Sequence, residues 1–186
     1  MSRNLSASRF TFDCDKKQTM NEEEKNMQMN PELLAAQPFL KEMSARQLEL
    51  LAENAMLAEF KTDELIFKEG SPANRFYILL SGEVMLESPG PKCDDERGTV
   101  QIETIGVGSV LGWSWLFAPY YSHFSARIVS PVKAIFFYGT RLREQCESDH
   151  DLGYELMKRV AAIFIERLQA TREKLSEQGG ILSLAI

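Results

Sequence analysis

Residues 106–129, GVGSVLGWSWLFAPYYSHFSARIV, constrain this chain more than any other stretch. Glycines end one apolar run and set up a tight turn. A short apolar segment, WSWLF, follows; then come a polar loop and a new β-branched run. Glycine supplies the positive φ that such turns need at little steric cost. The layout predicts a strand end, a turn, a short helix and a returning strand, with a cassette over residues 106–127. The free backbone N–H groups at the start of that short helix favour an anion.

The neighbouring sequence has the same short period. MLAEF, ELIFKEG, RFYILLSG, EVMLES, TVQIETI, HFSARIV and VKAIFFYG are brief runs rich in β-branched and aromatic residues. Gly, Pro, Asn or Ser bounds each of them. Seven or eight such strands over residues 56–139 predict a mainly β fold, a sandwich or jelly-roll-like roll. Gly70, Gly82, Gly106, Gly108 and Gly112 fall where turns call for positive φ. The stretch 89–98, PGPKCDDERG, reads as a polar hairpin loop.

Helical signals flank the roll. Residues 1–30 are polar and aperiodic, and read as a disordered leader or as sequence upstream of a later start at Met27 or Met29. Asn30 followed by Pro31 marks a helix start. Ser44 with Gln47 forms a capping box for a helix over residues 45–54. N-terminal helices thus occupy residues 31–55. C-terminal helices occupy residues 140–178, and 179–186 form a tail. Asp149 or Asp151 caps the long helix. That helix carries two apolar stripes. Leu152, Leu156, Val160 and Ile163 can pack on the roll. Met157, Ala161, Phe164, Leu168, Thr171 and Leu175, spaced by alternating fours and threes, form a seam suited to a homodimer.

Composition narrows the function. Hydrophobic residues make up 44% and charged residues 26%, so a core forms without staples. A formal net charge of −6 opposes direct nucleic-acid binding. Cys14, Cys93 and Cys146 are far apart, as expected of reduced thiols in a cytoplasmic protein. Cys93, beside Lys92 in the polar loop, is a candidate redox-sensitive thiol or an incidental exposed one. No signal peptide or membrane span is expected. His123 and His150 are the only histidines and lack ligand spacing, so no metal site is expected. Ser114 has no base beside it in sequence, which argues against catalysis.

Helices, then a glycine-punctuated roll with a helical cassette, then a long helix: this order resembles the cyclic-nucleotide-binding domain of the catabolite-activator and Fnr family. FKEG at 67–70, NRFYILLSG at 74–82, IGVGSVLG at 105–112, the run 124–129 and DLGYELMKR at 151–159 carry the resemblance. It implies a double-stranded β-helix with N-terminal helices and a long C-terminal dimer helix. It also implies a regulatory module that binds a small anionic ligand, a cyclic nucleotide or a relative, and signals through the last helix to a partner protein. The family has a glutamate for the ribose hydroxyl where this chain has Trp113. It has an arginine for the cyclic phosphate where this chain has Phe124. The family's transcription factors carry a helix-turn-helix after the long helix. Only QGGILSLAI follows Glu177, so an isolated sensor without DNA-binding of its own is expected.

The candidate ligand residues are therefore Gly112, Trp113, Ser114, Trp115, His123, Phe124, Ser125 and Arg127. Trp113 and Trp115 offer stacking faces, or else fill the vacated pocket and pack beneath the long helix. Two residues apart, they cannot both face one cavity. Arg127 binds an anion, or pairs with an acid such as Glu103. A strand residue three positions from Phe124 points to the opposite face. His123 is a ligand cation, a loop histidine or a haem ligand of a gas sensor. A ligand-free interaction and dimerisation module is the alternative from a different class.

Overall fold

The computed structural model describes residues 29–90 and 98–177. Residues 1–28 of the leader, Cys14, Cys93 and the tail fall outside them. Met29, grouped with the leader by sequence, is 6% exposed and sits in the core.

Helix α1 (Pro31–Ala35) begins as the sequence predicts, with the Asn30 side chain accepting from the Glu32 N–H. A 3-10 turn at Pro38–Leu40 follows. Helix α2 (Ala45–Ala52) starts with the complete capping box. The Gln47 N–H donates to Ser44 Oγ and the Ser44 N–H to Gln47 Oε1.

Six strands follow: β1 (Ala55–Phe60), β2 (Leu65–Phe67), β3 (Arg75–Pro89), β4 (Thr99–Ile105), β5 (Val110–Leu111) and β6 (Ser125–Tyr138). Their order is β1-β6-β3-β4, with β2 also on β6 and β5 also on β3, all antiparallel. Among the described residues the seven sequence runs become five strands, because two pairs of runs each form one long strand, and the short β5 inside the 106–127 cassette makes six. RFYILLSG and EVMLES join in β3; HFSARIV and VKAIFFYG join in β6. The joints are bends. At Gly82, φ is +80° and the Pro131 carbonyl approaches closely. The β3–β6 register shifts on either side of this point. Gly106, expected at positive φ, does not adopt it. Its carbonyl accepts from Ser109 N–H in the turn, and the left-handed residue there is Gly108.

Residues 76–79 of β3 and 134–137 of β6 are buried on both faces where they pair. Phe76 and Ile78, with Ile135 and Phe137, face the helices; Tyr77 and Leu79, with Ala134 and Phe136, face the roll interior. Such two-faced burial explains why RFYILL reads as an unbroken apolar run. Helix α3 (Gly139–Ser148) and helix α4 (His150–Glu177) complete the described chain. Asp149 caps α4, accepting from the Leu152 N–H, and pairs with Arg46 at 2.8 Å, which ties α4's start to α2. Leu152, Leu156 and Val160 are buried in the helix-side core as expected. Cys146 packs there as well, and burial pushes its thiol up to about 11. No described helix is long and apolar enough to cross a membrane.

A Cβ at Gly82 would lie 2.3 Å from the Pro131 oxygen. Gly82→Ala is expected to cost about 2 kcal/mol or more, from strained φ and overpacking together. Val107→Ala, at a side chain 68% exposed, should stay within about 0.5 kcal/mol. Urea midpoints measure both, and an unshifted Gly82→Ala midpoint would show that the bend is not tight.

Candidate functional site

The cassette opens at Gly112, which follows β5 with φ at +81°. A Cβ there would sit 2.4 Å from the Arg75 carbonyl oxygen, so only glycine lets β5 turn against the start of β3. The helix that follows is a single 3-10 turn, Trp113–Leu116. This is tighter and shorter than the helix expected from sequence. Its four apolar or small residues face two different cores, and the chain leaves the turn at Phe117 in extended conformation.

The two tryptophans part as their spacing requires. Trp115 is 1% exposed and lies in the helix-side core, its ring centroid 6.1 Å from Phe76. Its carbonyl accepts from Arg143 at 2.7 Å. Trp113 turns the other way, under α4. Its ring meets Phe164 edge-on at 4.5 Å and Phe124 at 6.2 Å, with Phe117 at 6.4 Å. His123 stacks on it at 5.6 Å and 20°. Aromatic pairs at these separations favour tilted and edge-on arrangements. Phe124 in turn touches Phe67 and carries the Arg167 guanidinium 5.9 Å above its ring. Burial lowers the Arg167 pKa, while Glu103, 3.7 Å away, opposes that shift.

Thus the position that resembles the ribose-reading glutamate and the one that resembles the phosphate-reading arginine are brought together, but as rings. They pack on each other, and Trp113 also packs on a third ring, Phe164 of α4. Phe164 was placed by sequence on the free stripe of α4. The structure instead packs it on Trp113 and Phe117. It lies four residues after the buried Val160, so it falls on the covered face as much as on the open one. Its role was legible in that spacing, but only once the cassette was known to reach α4.

Arg127 was expected to pair with an acid such as Glu103 if not with an anion. Its partner is Glu87, through Nε at 3.0 Å and Nη2 at 2.8 Å, both to Oε1. Nη1 donates to the Asp63 carbonyl. Glu87 is 1% exposed, so this is a buried carboxylate held by one guanidinium. The reason is register. Glu87 lies opposite Ser125 across β3 and β6, and Arg127 is its diagonal neighbour two residues on. Glu103 sits on β4 opposite Leu86 and meets Arg167 instead. The strand parity argument holds: Ala126 and Ile128 point into the roll core with Phe124, and Arg127 is only partly buried on the other side.

Ser114 has a base after all. The loop returns His123 so that Nδ1 lies 3.0 Å from Ser114 Oγ. Sequence adjacency could not show a contact across nine residues. Ser114 is 3% exposed, however, and one face of the imidazole is covered by Trp113. A closed-off hydroxyl of this kind ties the two ends of the cassette together and offers no reach to a substrate. Ser125, also buried, accepts from the Glu69 N–H at 3.0 Å and fastens the return strand to the end of β2. No cluster of metal-ligating side chains occurs among the described residues.

Two open grooves flank the cassette rather than enter it. One of about 850 Å³ runs between α4 and the β4–β5 turn and includes Ile163 and Arg167. The other, of about 310 Å³, lies over the β2–β3 loop and includes Lys68, Arg75 and Ser122. Neither is lined by Trp113, Ser114, Trp115, His123 or Phe124.

Comparison with known proteins agrees with this architecture. Residues 57–149 match the family model of the cyclic nucleotide-binding domain. The CRP-like cAMP-activated global transcriptional regulator of Mycobacterium tuberculosis is 23% identical over 146 residues, which are 78% of this chain and 62% of that protein. The chain therefore spans less than two thirds of that regulator's length. A solved structure of a Geobacter metallireducens protein assigned to the cyclic nucleotide-binding proteins is 33% identical. The alignment covers 75% of this chain and 98% of that one, with a TM-score of 0.67. The regulatory subunit of a cAMP-independent protein kinase A from Trypanosoma brucei shares the fold at 18% identity and a TM-score of 0.61, covering 77% and 48% of the two chains. The antiparallel roll, its flanking helices and these matches make this chain a member of the cyclic nucleotide-binding domain family.

Proposed function

We propose that this chain is a regulatory module of its family in which an aromatic plug takes the place of the nucleotide. The carrying observation is the packing of Trp113 between Phe124 of the roll and Phe164 of α4. In a nucleotide-regulated module, a ligand in the cassette sets the position of the last helix. Here the protein's own rings make that link, so α4 is held on the roll without an effector. The output is the exposed side of α4, offered first to a second copy of this chain and then to a protein partner. This reading favours the interaction module over the small anionic ligand at the cassette. The polar groups nearest such a ligand are engaged: Arg127 with Glu87, Arg167 with Glu103 and the Phe124 ring, and His123 with Ser114 and Trp113. The name of the trypanosome relative, a cAMP-independent kinase subunit, fits a member of this fold that works without that nucleotide. The name of the mycobacterial relative points the other way, and calorimetry separates the two.

Cyclic AMP is expected to bind weakly or not at all. Without a carboxylate at Trp113 and a cation at Phe124, each lost charge-assisted bond costs about 1.5–3 kcal/mol. Together they weaken binding at least about a hundredfold. A low-micromolar dissociation constant by isothermal titration would overturn the plug.

The contact that replaces the ligand is measurable by itself. A double-mutant cycle over Trp113→Ala and Phe164→Ala should give a coupling of about 0.5–1.5 kcal/mol in unfolding stability. Additive losses would mean that the two rings do not hold α4.

The free face of α4 is the proposed homodimer seam. Met157 is 41% and Leu168 63% exposed, and Ala161 and Thr171 are exposed between and beyond them. The Leu175 side chain lies outside the described residues. Met157→Glu with Leu168→Glu, which spares the plug, should convert a dimer to a monomer in sedimentation. A wild-type chain that is monomeric at about ten micromolar would sink the seam.

A further inference from the structure

The loop joining β2 to β3 gathers an aromatic and basic surface that the plug does not use. Three backbone links fix it in place. The Ala73 N–H donates to the Tyr120 carbonyl, Pro72 pairs with Tyr121, and the Gly139 N–H donates to the Asn74 carbonyl. Arg75 lies opposite Tyr138 in the β3–β6 register. The loop, the end of the cassette and the start of α3 therefore form one continuous face. Lys68, Arg75, Arg141 and Arg143 stand on it, and none has an ion-pair partner among the described residues. Glu69 is the lone carboxylate in segments 66–75, 118–123 and 138–143, and its Oε2 accepts from the Ser88 hydroxyl. On a chain of net charge −6, four unpaired cations on one face are a local reversal of sign.

Tyrosines stand between the cations: Tyr121 is 50% exposed, Tyr120 40% and Tyr138 38%. The groove of about 310 Å³ opens over the β2–β3 loop on this face, with Lys68, Arg75 and Asn74 in its wall. Ser122, 7% exposed, also lines it. Both its backbone groups are spent, on Ser71 and Gly70, and its hydroxyl has no hydrogen-bond partner among the described residues.

We propose that this face docks an acidic segment of a partner protein, with carboxylates meeting Lys68, Arg75 and Arg141 and an apolar side chain entering the groove. Charge complementarity chooses the occupant. Arginine and tyrosine are the residue types most often found as anchors in such contacts. A nucleic acid fits less well. One face of Tyr120 is covered by Arg143 at 4.4 Å and one face of Tyr138 by Arg141 at 5.8 Å, which leaves less open ring for base stacking. This inference stands whether or not a ligand enters the cassette.

The test is fluorescence anisotropy on the intact chain with a labelled peptide of repeated Asp-Glu-Phe triplets. Saturable binding is expected, falling as salt rises. Lys68→Glu with Arg75→Glu should weaken it by about tenfold or more. Lys41→Glu with Lys158→Glu, the same charge change on the far groove, should leave it within about twofold. Circular dichroism confirms the fold of both variants. Absence of peptide binding, equal loss in both variants, or tighter binding of single-stranded RNA than of peptide would each overturn the proposal.

Discussion

The antiparallel pairing of β3 with β6 carries the molecule. Where Phe76–Leu79 pairs with Ala134–Phe137, one face lies in the roll interior and the other under the helices, so two separate cores share a single two-stranded wall. A disturbance on one side is felt on the other because interiors pack densely and transmit strain. The wall runs from Arg75 opposite Tyr138 at one end to Glu87 opposite Ser125 at the other. Its ends are where the chain does something other than pack. One end bears the basic and aromatic face. The other holds the buried Glu87–Arg127 pair, in which losing one partner would strand the other charge away from water.

Much of this was legible in the residues. Periodicity separated helices from strands, and caps at Asn30 and Ser44 fixed helix starts because short polar side chains satisfy orphan N–H groups locally; of Asp149 and Asp151, both open in sequence, Asp149 caps the long helix. Strand count was misread for a physical reason as well. A bulged bend at Gly82 and Pro131 looks like a turn in sequence, since both require residues that ordinary strands avoid. The roll was nevertheless recognisable, because its glycines at 70, 82, 108 and 112 fall where the backbone turns left-handed.

The site was half legible. Trp113 and Phe124 could be seen to depart from the family's ligand chemistry, and their parting from Trp115 and Arg127 followed from local geometry. What replaces that chemistry could not be seen. Phe164 lies fifty-one positions after Trp113, Glu87 forty before Arg127, and His123 nine after Ser114. These are tertiary contacts between residues whose types allow several partners, and only the register of β3 on β6 and the placement of α4 choose among them.

The plug has a consequence for how this chain could change. Suppose a carboxylate were placed at Trp113 alone. It would sit against the rings of Phe117, Phe124 and Phe164, where burying a charge among apolar groups is costly. An arginine at Phe124 alone would meet Arg167 over the same spot, like charge on like. Emptying Phe164 alone leaves a void beneath α4 and still no reader for a ribose. Each step toward a nucleotide site is downhill only after the others have been taken. The three rings form a ratchet: easy to keep, and hard to leave by single substitutions.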